Sequence, residues 1–148
     1  MSNKLNLFYR LQAGPFVQWL QDGRWLSAPA QPALHELTAT SLRAAYLFDN
    51  RQMLNGQVIA DGVLATVAND MATLLVEAGA PAGARWAKRS LQIDFIAAPL
   101  TGELLIRSAG APIDWAQAGG QLVTIEGHNG NDMPVFSATL KVVITPAA

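Results

Sequence analysis

One segment of this sequence is far more regular than the rest, and it limits the folds open to the chain. Residues 62–78 read GVLATVANDMATLLVEA. Their apolar side chains recur at spacings of three and four residues, as on one face of an α-helix: Val63, Leu64, Val67, Met71, Leu74 and Leu75. Asp61 is expected to be the N-cap, and Gly79 with Pro81 the stop signal. The pattern predicts a central helix roughly 25 Å long whose opposite face carries mostly small residues.

Short extended runs dominate the sequence after this helix. Four runs with strand-like composition are present, at residues 87–96, 104–108, 121–128 and 135–145. Asn129-Gly130 separates the last two runs and is a strong hairpin signal. Asn131 and Asp132 are able to widen that loop. The sheet is therefore predicted to be largely antiparallel.

Two segments before the helix are less regular. Residues 15–22 are expected to form a short leading helix, bounded by Gly14-Pro15 and Asp22-Gly23. Residues 34–48 fit a strand in part, although their apolar spacing also fits a helix. One long helix followed by several strands predicts an α+β domain whose sheet curls around the helix. A length of 148 residues fits one such domain over residues 1–148.

The sequence contains few charged residues. Charged residues make up 14% of the chain and hydrophobic residues 51%, whereas about 25% charged is average, so some apolar surface is expected to meet another subunit. A net charge of −1 lacks the basic footprint of nucleic-acid binding. The absence of cysteine, with only His35 and His128 as histidines, excludes cysteine and histidine-rich metal sites. Without a signal-peptide or membrane-span pattern, a soluble cytoplasmic chain is expected.

Two stretches of the sequence resemble a known family. Residues 55–78, NGQVIADGVLATVANDMATLLVEA, resemble the signature of hotdog-fold acyl-CoA thioesterases of the phenylacetate-pathway type, in which a His-Gly-Gly turn opens the central helix. Residues 90–105, SLQIDFIAAPLTGELL, resemble the same family's strand, proline turn and next strand. The likeness spans roughly residues 15–144. It implies a hotdog fold, an acyl-CoA or similar thioester as substrate, and a site between the subunits of a homodimer or homotetramer. No cofactor or metal ion is expected.

Thioester hydrolysis has two chemical requirements, and residues of this helix are relevant to both. The free N–H groups at a helix start, reinforced by the helix dipole, are aimed donors for a developing oxyanion. Here they belong to Gly62 and its neighbours. A carboxylate must attack the carbonyl or take a proton from water. In the resembled family this carboxylate lies on the central helix, seven residues after the second glycine of the motif.

Placed on this sequence, the family motif is only partly kept. Its histidine falls on Ala60, its two glycines on Asp61 and Gly62, and its carboxylate on Asn69, so only one glycine is retained. Asp70 follows directly, but adjacent helical residues point about 100° apart. The catalytic candidates are therefore Gly62, Asp61, and either Asp70 or Asn69 with a positioned water. The alternative roles are an N-cap for Asp61 and a solvated or interface carboxylate for Asp70.

Substrate binding is expected from residues at the helix start and around the following strand. The candidates are Val63, Asn55, Ser90, Arg85, Lys88 and Arg89. The three basic residues could pair with the phosphates of coenzyme A, and a solvated strand entrance is the alternative. His35 and His128 are left out of the site.

Three functions remain open from the sequence. The first is an acyl-CoA thioesterase. The alternative is a non-hydrolytic hotdog domain that binds an acyl thioester or another apolar ligand, because the motif lacks its histidine and a glycine. A hotdog dehydratase or isomerase is the third, but the helix start lacks the histidine that such enzymes employ.

Overall fold

The computed structural model describes residues 32–48, 53–54, 58–59, 61–96 and 103–148. Four sequence predictions lie outside the described residues. They concern the leading helix at 15–22, Asn55, the motif position at Ala60 and the proline turn at 99–102.

Most of the described residues belong to one antiparallel sheet and one helix. Along the chain the elements are β1 (Ala33–Leu37), β2 (Leu42–Leu47), β3 (Met53–Leu54), β4 (Val58–Ile59), α1 (Asp61–Gly79), β5 (Arg85–Phe95), β6 (Glu103–Ala109), β7 (Gly119–His128) and β8 (Pro134–Thr145). Six strands form the main sheet in the order β1-β2-β6-β7-β8-β5, and β3 pairs separately with β4. All pairs are antiparallel. The sheet curls around α1, which contacts β5, β6, β7 and β8, so the predicted α+β architecture is confirmed.

The central helix is present where the apolar pattern predicts it, and it is more enclosed than that pattern indicates. It begins one residue earlier and ends one residue later than predicted. Four residues of the predicted stripe are buried: Leu64, Val67, Met71 and Leu74. Five further helical residues are buried as well, namely Ala68, Asp70, Ala72, Val76 and Ala78. The core therefore covers more of the helix than a single stripe.

The five described segments of chain hold no helix that is long and apolar enough to cross a membrane.

Residues 34–48 form strands, which decides between the two alternatives that their spacing left open. Burial along β2 alternates: Leu42, Ala44 and Tyr46 are buried, whereas Arg43 and Leu47 are exposed. This period of two is that of a strand with one face on the core. The opposite surface of the six-stranded sheet, away from α1, is called the outer face below.

The hairpin predicted at Asn129-Gly130 is confirmed, and its loop is wider than two residues. The loop between β7 and β8 spans residues 129–133. The side-chain carbonyl of Asn129 accepts hydrogen bonds from the backbone N–H groups of Asn131 and Met133, at 2.9 and 3.0 Å. The left-handed residue of the loop is Asp132, with φ of 61°. Asn131 and Asp132 thus widen the loop, as expected.

A bulge in β5 decides which residues face the helix. The register with β8 shifts between Lys88 and Ser90, which leaves Arg89 as the extra residue. Ser90 pairs with exposed Lys141, and Lys88 pairs with buried Val142. Directly opposite residues of an antiparallel pair share a face. Ser90 therefore lies on the outer face and Lys88 on the helix side, although residues two apart on a regular strand would share one face.

Candidate functional site

The start of α1 is exposed. Asp61 and Gly62 are exposed, and a Cβ atom built on Gly62 would meet no atom of the described residues within 4 Å. The first N–H groups of a helix have no carbonyl partners within it, and the helix dipole adds partial positive charge there. These donors are therefore next to open space that a carbonyl oxygen of a ligand could enter.

The capping hydrogen bond expected from Asp61 is not formed. The helix includes Asp61 in its first turn, and in the described ranges its carboxylate takes part in no hydrogen bond or ion pair. The N-cap prediction is wrong because the residue lies inside the helix rather than before it. Its negative charge still interacts favourably with the helix dipole, and it leaves the first-turn amides unobstructed.

A polar stripe on α1 faces the terminal strand β5. The ammonium group of Lys88 donates to the side-chain oxygen of Asn69 at 2.9 Å. Two turns further along, the indole N–H of Trp86 donates to Glu77 at 2.8 Å. The Thr73 hydroxyl between them donates to the Asn69 backbone carbonyl at 2.7 Å. Spacings of four residues place these three helical side chains on one side, so Asn69 and Lys88 meet at the edge of the sheet.

Asp70 lies on another side of the helix and is fully buried. Its exposed fraction is 0%, and it is the one buried acidic residue among those described. Tyr46 on β2 is also at 0%. Burial raises the pKa of Tyr46 well above its usual range, and the charge of Asp70 raises it further. The two side chains therefore share the region between helix and sheet, and the interpretation of Asp70 as a solvated carboxylate is wrong.

The remaining predicted binding residues are spread over β5. Arg85 is exposed and pairs with exposed Thr145, so it shares the outer face with Ser90. Arg89 is exposed at the bulge. Val63 is half-buried next to Gly62. The structure thus joins Lys88 to Asn69 and separates Lys88 from Ser90 and Arg85.

Tyr46 is the residue that sequence reasoning missed. Its hydroxyl is buried and has no hydrogen-bond partner among the described residues, and its ring stacks on Phe48 with centroids 5.6 Å apart. The alternation of Leu42, Ala44 and Tyr46 along a strand could have placed it in the core. No sequence signal could have placed it near Asp70, because that proximity depends on how β2 lies relative to the helix.

No protein-family model and no curated protein matches this chain, but its fold is shared with solved structures. A structural-genomics crystal structure is 22% identical with a TM-score of 0.73, covering 95% of this chain and 96% of that one. A hypothetical thioesterase from Streptococcus pneumoniae, solved with coenzyme A, is 14% identical with a TM-score of 0.64, covering 79% and 88%.

A thioesterase family protein from Silicibacter pomeroyi is 11% identical with a TM-score of 0.67, covering 89% of this chain and 99% of that one. At such identities the likeness establishes the fold. The chain has the hotdog fold of thioesterase-family structures, as the sequence resemblance implies.

Proposed function

We propose that this chain hydrolyses an acyl thioester such as an acyl-CoA, with the first-turn amides of α1 as oxyanion donors and Asp70 as the carboxylate. The proposal depends on one observation: a helix whose exposed first turn is followed by a fully buried carboxylate. Burying a carboxylate is costly unless it is paired or hydrogen-bonded, so a buried carboxylate has a structural or functional reason. The resemblance to thioesterase-family structures supports the same reaction class.

The chemistry favours Asp70 over Asn69. An amide side chain can hold a water or a carbonyl group, but it neither takes a proton nor attacks a carbonyl as a carboxylate does. The Asn69 side-chain oxygen is also engaged by Lys88. Asn69 is therefore proposed to position Lys88 at the edge of the sheet, and the reacting group is proposed to be Asp70.

The observed start of the helix supports a second placement of the family motif. When the histidine position is set on Asp61, the first residue of α1, the two glycines fall on Gly62 and Val63. The carboxylate, seven residues after the second glycine, then falls on Asp70. This placement retains a glycine and the carboxylate, whereas the placement that begins at Ala60 retains one glycine.

Helix geometry supports a site built from two copies of the chain. Gly62 and Asp70 are eight residues apart, which is about 12 Å along a helix axis. Because an aspartate side chain extends only a few ångströms, the amides and the carboxylate of one copy cannot meet at one carbonyl carbon. The amides of one subunit and Asp70 of a second subunit are therefore proposed to form each site, which requires the acyl group to reach Asp70 inside the chain that buries it.

The terminal strand supplies a surface for that pairing. β5 is 11 residues long, mostly exposed and last in the sheet, so it presents unpaired backbone groups along one edge. Arg85 and Arg89, both exposed, are proposed to contact the phosphates of coenzyme A.

The test is thiol release from short-chain, aromatic and long-chain acyl-CoAs. We expect Asp70→Asn to lower kcat by about a hundredfold or more, as for loss of a general base or nucleophile. Asn69→Ala should cost less than about tenfold, and Asp114→Asn, an exposed acid away from the helix, should have no effect. Unchanged turnover in Asp70→Asn would reject Asp70. Saturable binding without thiol release from any ester would favour the non-hydrolytic alternative.

A mixing experiment tests the two-copy site. Asp70→Asn removes the carboxylate, and Gly62→Val adds a side chain next to the amides whose Cβ atom meets no atom of the described residues within 4 Å. If each site takes its parts from two copies, unfolding and refolding the variants together should restore about a quarter of the wild-type sites through mixed dimers. If one copy supplied both parts, the mixture would be as inactive as the separate variants.

A further inference from the structure

A cavity lies on the outer face of the sheet, away from α1. It has a volume of about 200 Å³ and spans strands β1, β2, β6 and β7. Its polar lining comprises His35, Arg43, Arg107, His128 and Asp132. None of these residues belongs to the proposed thioester site, so the cavity is a separate feature of the molecule.

Two arginines of this cavity face each other across neighbouring strands. Arg43 on β2 and Arg107 on β6 are direct cross-strand partners, and like charges at such positions repel. Arg43 is held by Glu36 at 2.9 Å. Arg107 has longer contacts, 3.4 Å to Glu126 and 4.0 Å to Asp132. Arg107 thus keeps hydrogen-bonding capacity for another oxygen.

The histidine of this cavity is buried and incompletely partnered. His128 is 8% exposed, and its Nε2 atom lies 3.4 Å from Glu126, which can only accept a hydrogen bond. Its Nδ1 atom is buried, with no hydrogen-bond partner in the part of the chain that the structure describes. The nearest acid on that side is Asp132, with its Oδ1 at 3.5 Å, a residue whose side chain is 76% exposed. A buried nitrogen therefore faces the cavity beside a loosely held carboxylate.

We propose that this cavity binds a phosphate group, either free or at the end of a larger molecule, and that the Asp132 carboxylate occupies the position of one ligand oxygen. Asp132 Oδ1 lies 3.5 Å from His128 Nδ1 and 4.0 Å from Arg107 Nη1, the two groups that a phosphate oxygen would contact. A tetrahedral oxyanion with several acceptor oxygens fits donors that come from different strands, and guanidinium groups suit phosphate in particular. The floor of the cavity is formed by Ala44, Leu105 and Ile106.

Protonation of the histidines controls this site. Among the described residues, the charged and titratable groups on the elements that line this cavity are Glu126 on the strand of His128, Asp132 in the following loop, Arg107 and Glu103 on β6, Arg43 on β2, and His35 and Glu36 on β1. The cavity arginines are outnumbered by Glu36, Glu126 and Asp132 when both histidines are neutral. An imidazolium donates from both ring nitrogens, so it can serve Glu126 and a phosphate together. Binding should therefore be tighter at about pH 6 than at about pH 8.

The experiment is calorimetric titration of inorganic phosphate, and of sulfate, at about pH 6 and pH 8. Sulfate keeps its charge over this range, so its pH dependence reports the protein alone. Asp132→Asn, which suits the left-handed backbone of that position, should tighten binding about threefold or more by removing the competing carboxylate. Arg107→Gln should weaken binding about tenfold. His128→Gln should remove most of the pH dependence, and Lys141→Gln, elsewhere on the outer face, should change nothing.

A higher phosphate affinity in Asp132→Asn would distinguish a binding site from a merely structural ion cluster. This measurement does not depend on thioesterase activity. A nucleoside monophosphate titrated in parallel distinguishes the two ligand sources. Much tighter binding than inorganic phosphate, with the same response to the variants, indicates the phosphate of a larger molecule, and equal affinity indicates free phosphate. Absence of binding at both pH values in the wild type and in Asp132→Asn, with all proteins folded by circular dichroism, overturns the proposal.

Discussion

The two faces of the sheet differ in the polar groups that they carry. On the side facing α1, the sheet supplies apolar side chains such as Leu104, Ile125 and Leu140, all at most 1% exposed. Among the described residues, few polar side-chain atoms are buried there. The hydroxyl of Tyr46 has no hydrogen-bond partner among them, and it lies in the same region as Asp70.

The outer face carries charged side chains instead. Arg43 with Glu36 and Arg107 with Glu126 form ion pairs there, at 2.9 and 3.4 Å. Such exposed pairs contribute little to stability, because water already solvates the separated ions. The comparison shows that the inner face supplies most of the stability, whereas the polar groups of both faces are candidates for function rather than for folding.

The largest expected difference between the two faces is in how much a leucine-to-alanine substitution lowers the free energy of unfolding. Leu140 on β8 is 1% exposed and Leu122 on β7 is 58% exposed. Leu140→Ala should lower the free energy of unfolding by about 2–5 kcal/mol, because it leaves a cavity in the core. Leu122→Ala should change it by less than about 0.5 kcal/mol. Urea unfolding measures both values. A concentration-dependent loss in Leu122→Ala would instead indicate that a subunit interface covers the outer face.

A smaller effect of opposite sign is expected at Tyr46. Tyr46→Phe removes a buried hydroxyl that has no partner, so the free energy of unfolding should rise by about 1 kcal/mol. The raised pKa of Tyr46 stabilises the folded state below its ordinary value of 10.0, and this contribution is lost as the pH rises above that value. The variant should therefore lose less stability than wild type at alkaline pH. A destabilised Tyr46→Phe would contradict the absence of a hydroxyl partner.

The smallest effect is expected at Glu36 on the outer face. Hydrogen bonds from Ser41 and Arg43 lower the pKa of Glu36 from its ordinary value of 4.5. A lowered pKa stabilises the folded state above that value, and the contribution is lost as the pH falls below it. Because the side chain is 32% exposed, the contribution should stay under about 1 kcal/mol. Wild type and Glu36→Gln should differ in urea unfolding at pH 6 and converge near pH 3, and a constant difference would contradict this origin.

The local pattern of residue types was sufficient to predict most of the fold. The apolar spacing over residues 62–78 predicts α1 to within one residue at either end, because a helix with one long apolar stripe has few alternatives. The turn residues Asn129 and Gly130 predict the β7–β8 hairpin, because the contacts involved are close in sequence. Residues 34–48 were ambiguous, since short apolar runs fit both periods until their neighbours are known.

The candidate site was predicted less completely. The sequence indicates the helix start and the neighbouring pair Asn69 and Asp70, but it cannot tell which of the two is buried. The bulge at Arg89 turns Lys88 toward the helix and leaves Ser90 on the outer face. An extra residue in a strand is decided by pairing with β8, which lies some fifty residues away along the chain and carries no local signal.

What the sequence by itself determined is therefore the kind of element at each position and the class of fold, because helix and strand periodicity are properties of neighbouring residues. Only the tertiary structure decided that Tyr46 and Asp70 share one buried region and that Arg43 meets Arg107 beside His128. These juxtapositions join residues more than twenty positions apart. They arise from strand order and from the path of the sheet around the helix, which no short window of sequence encodes.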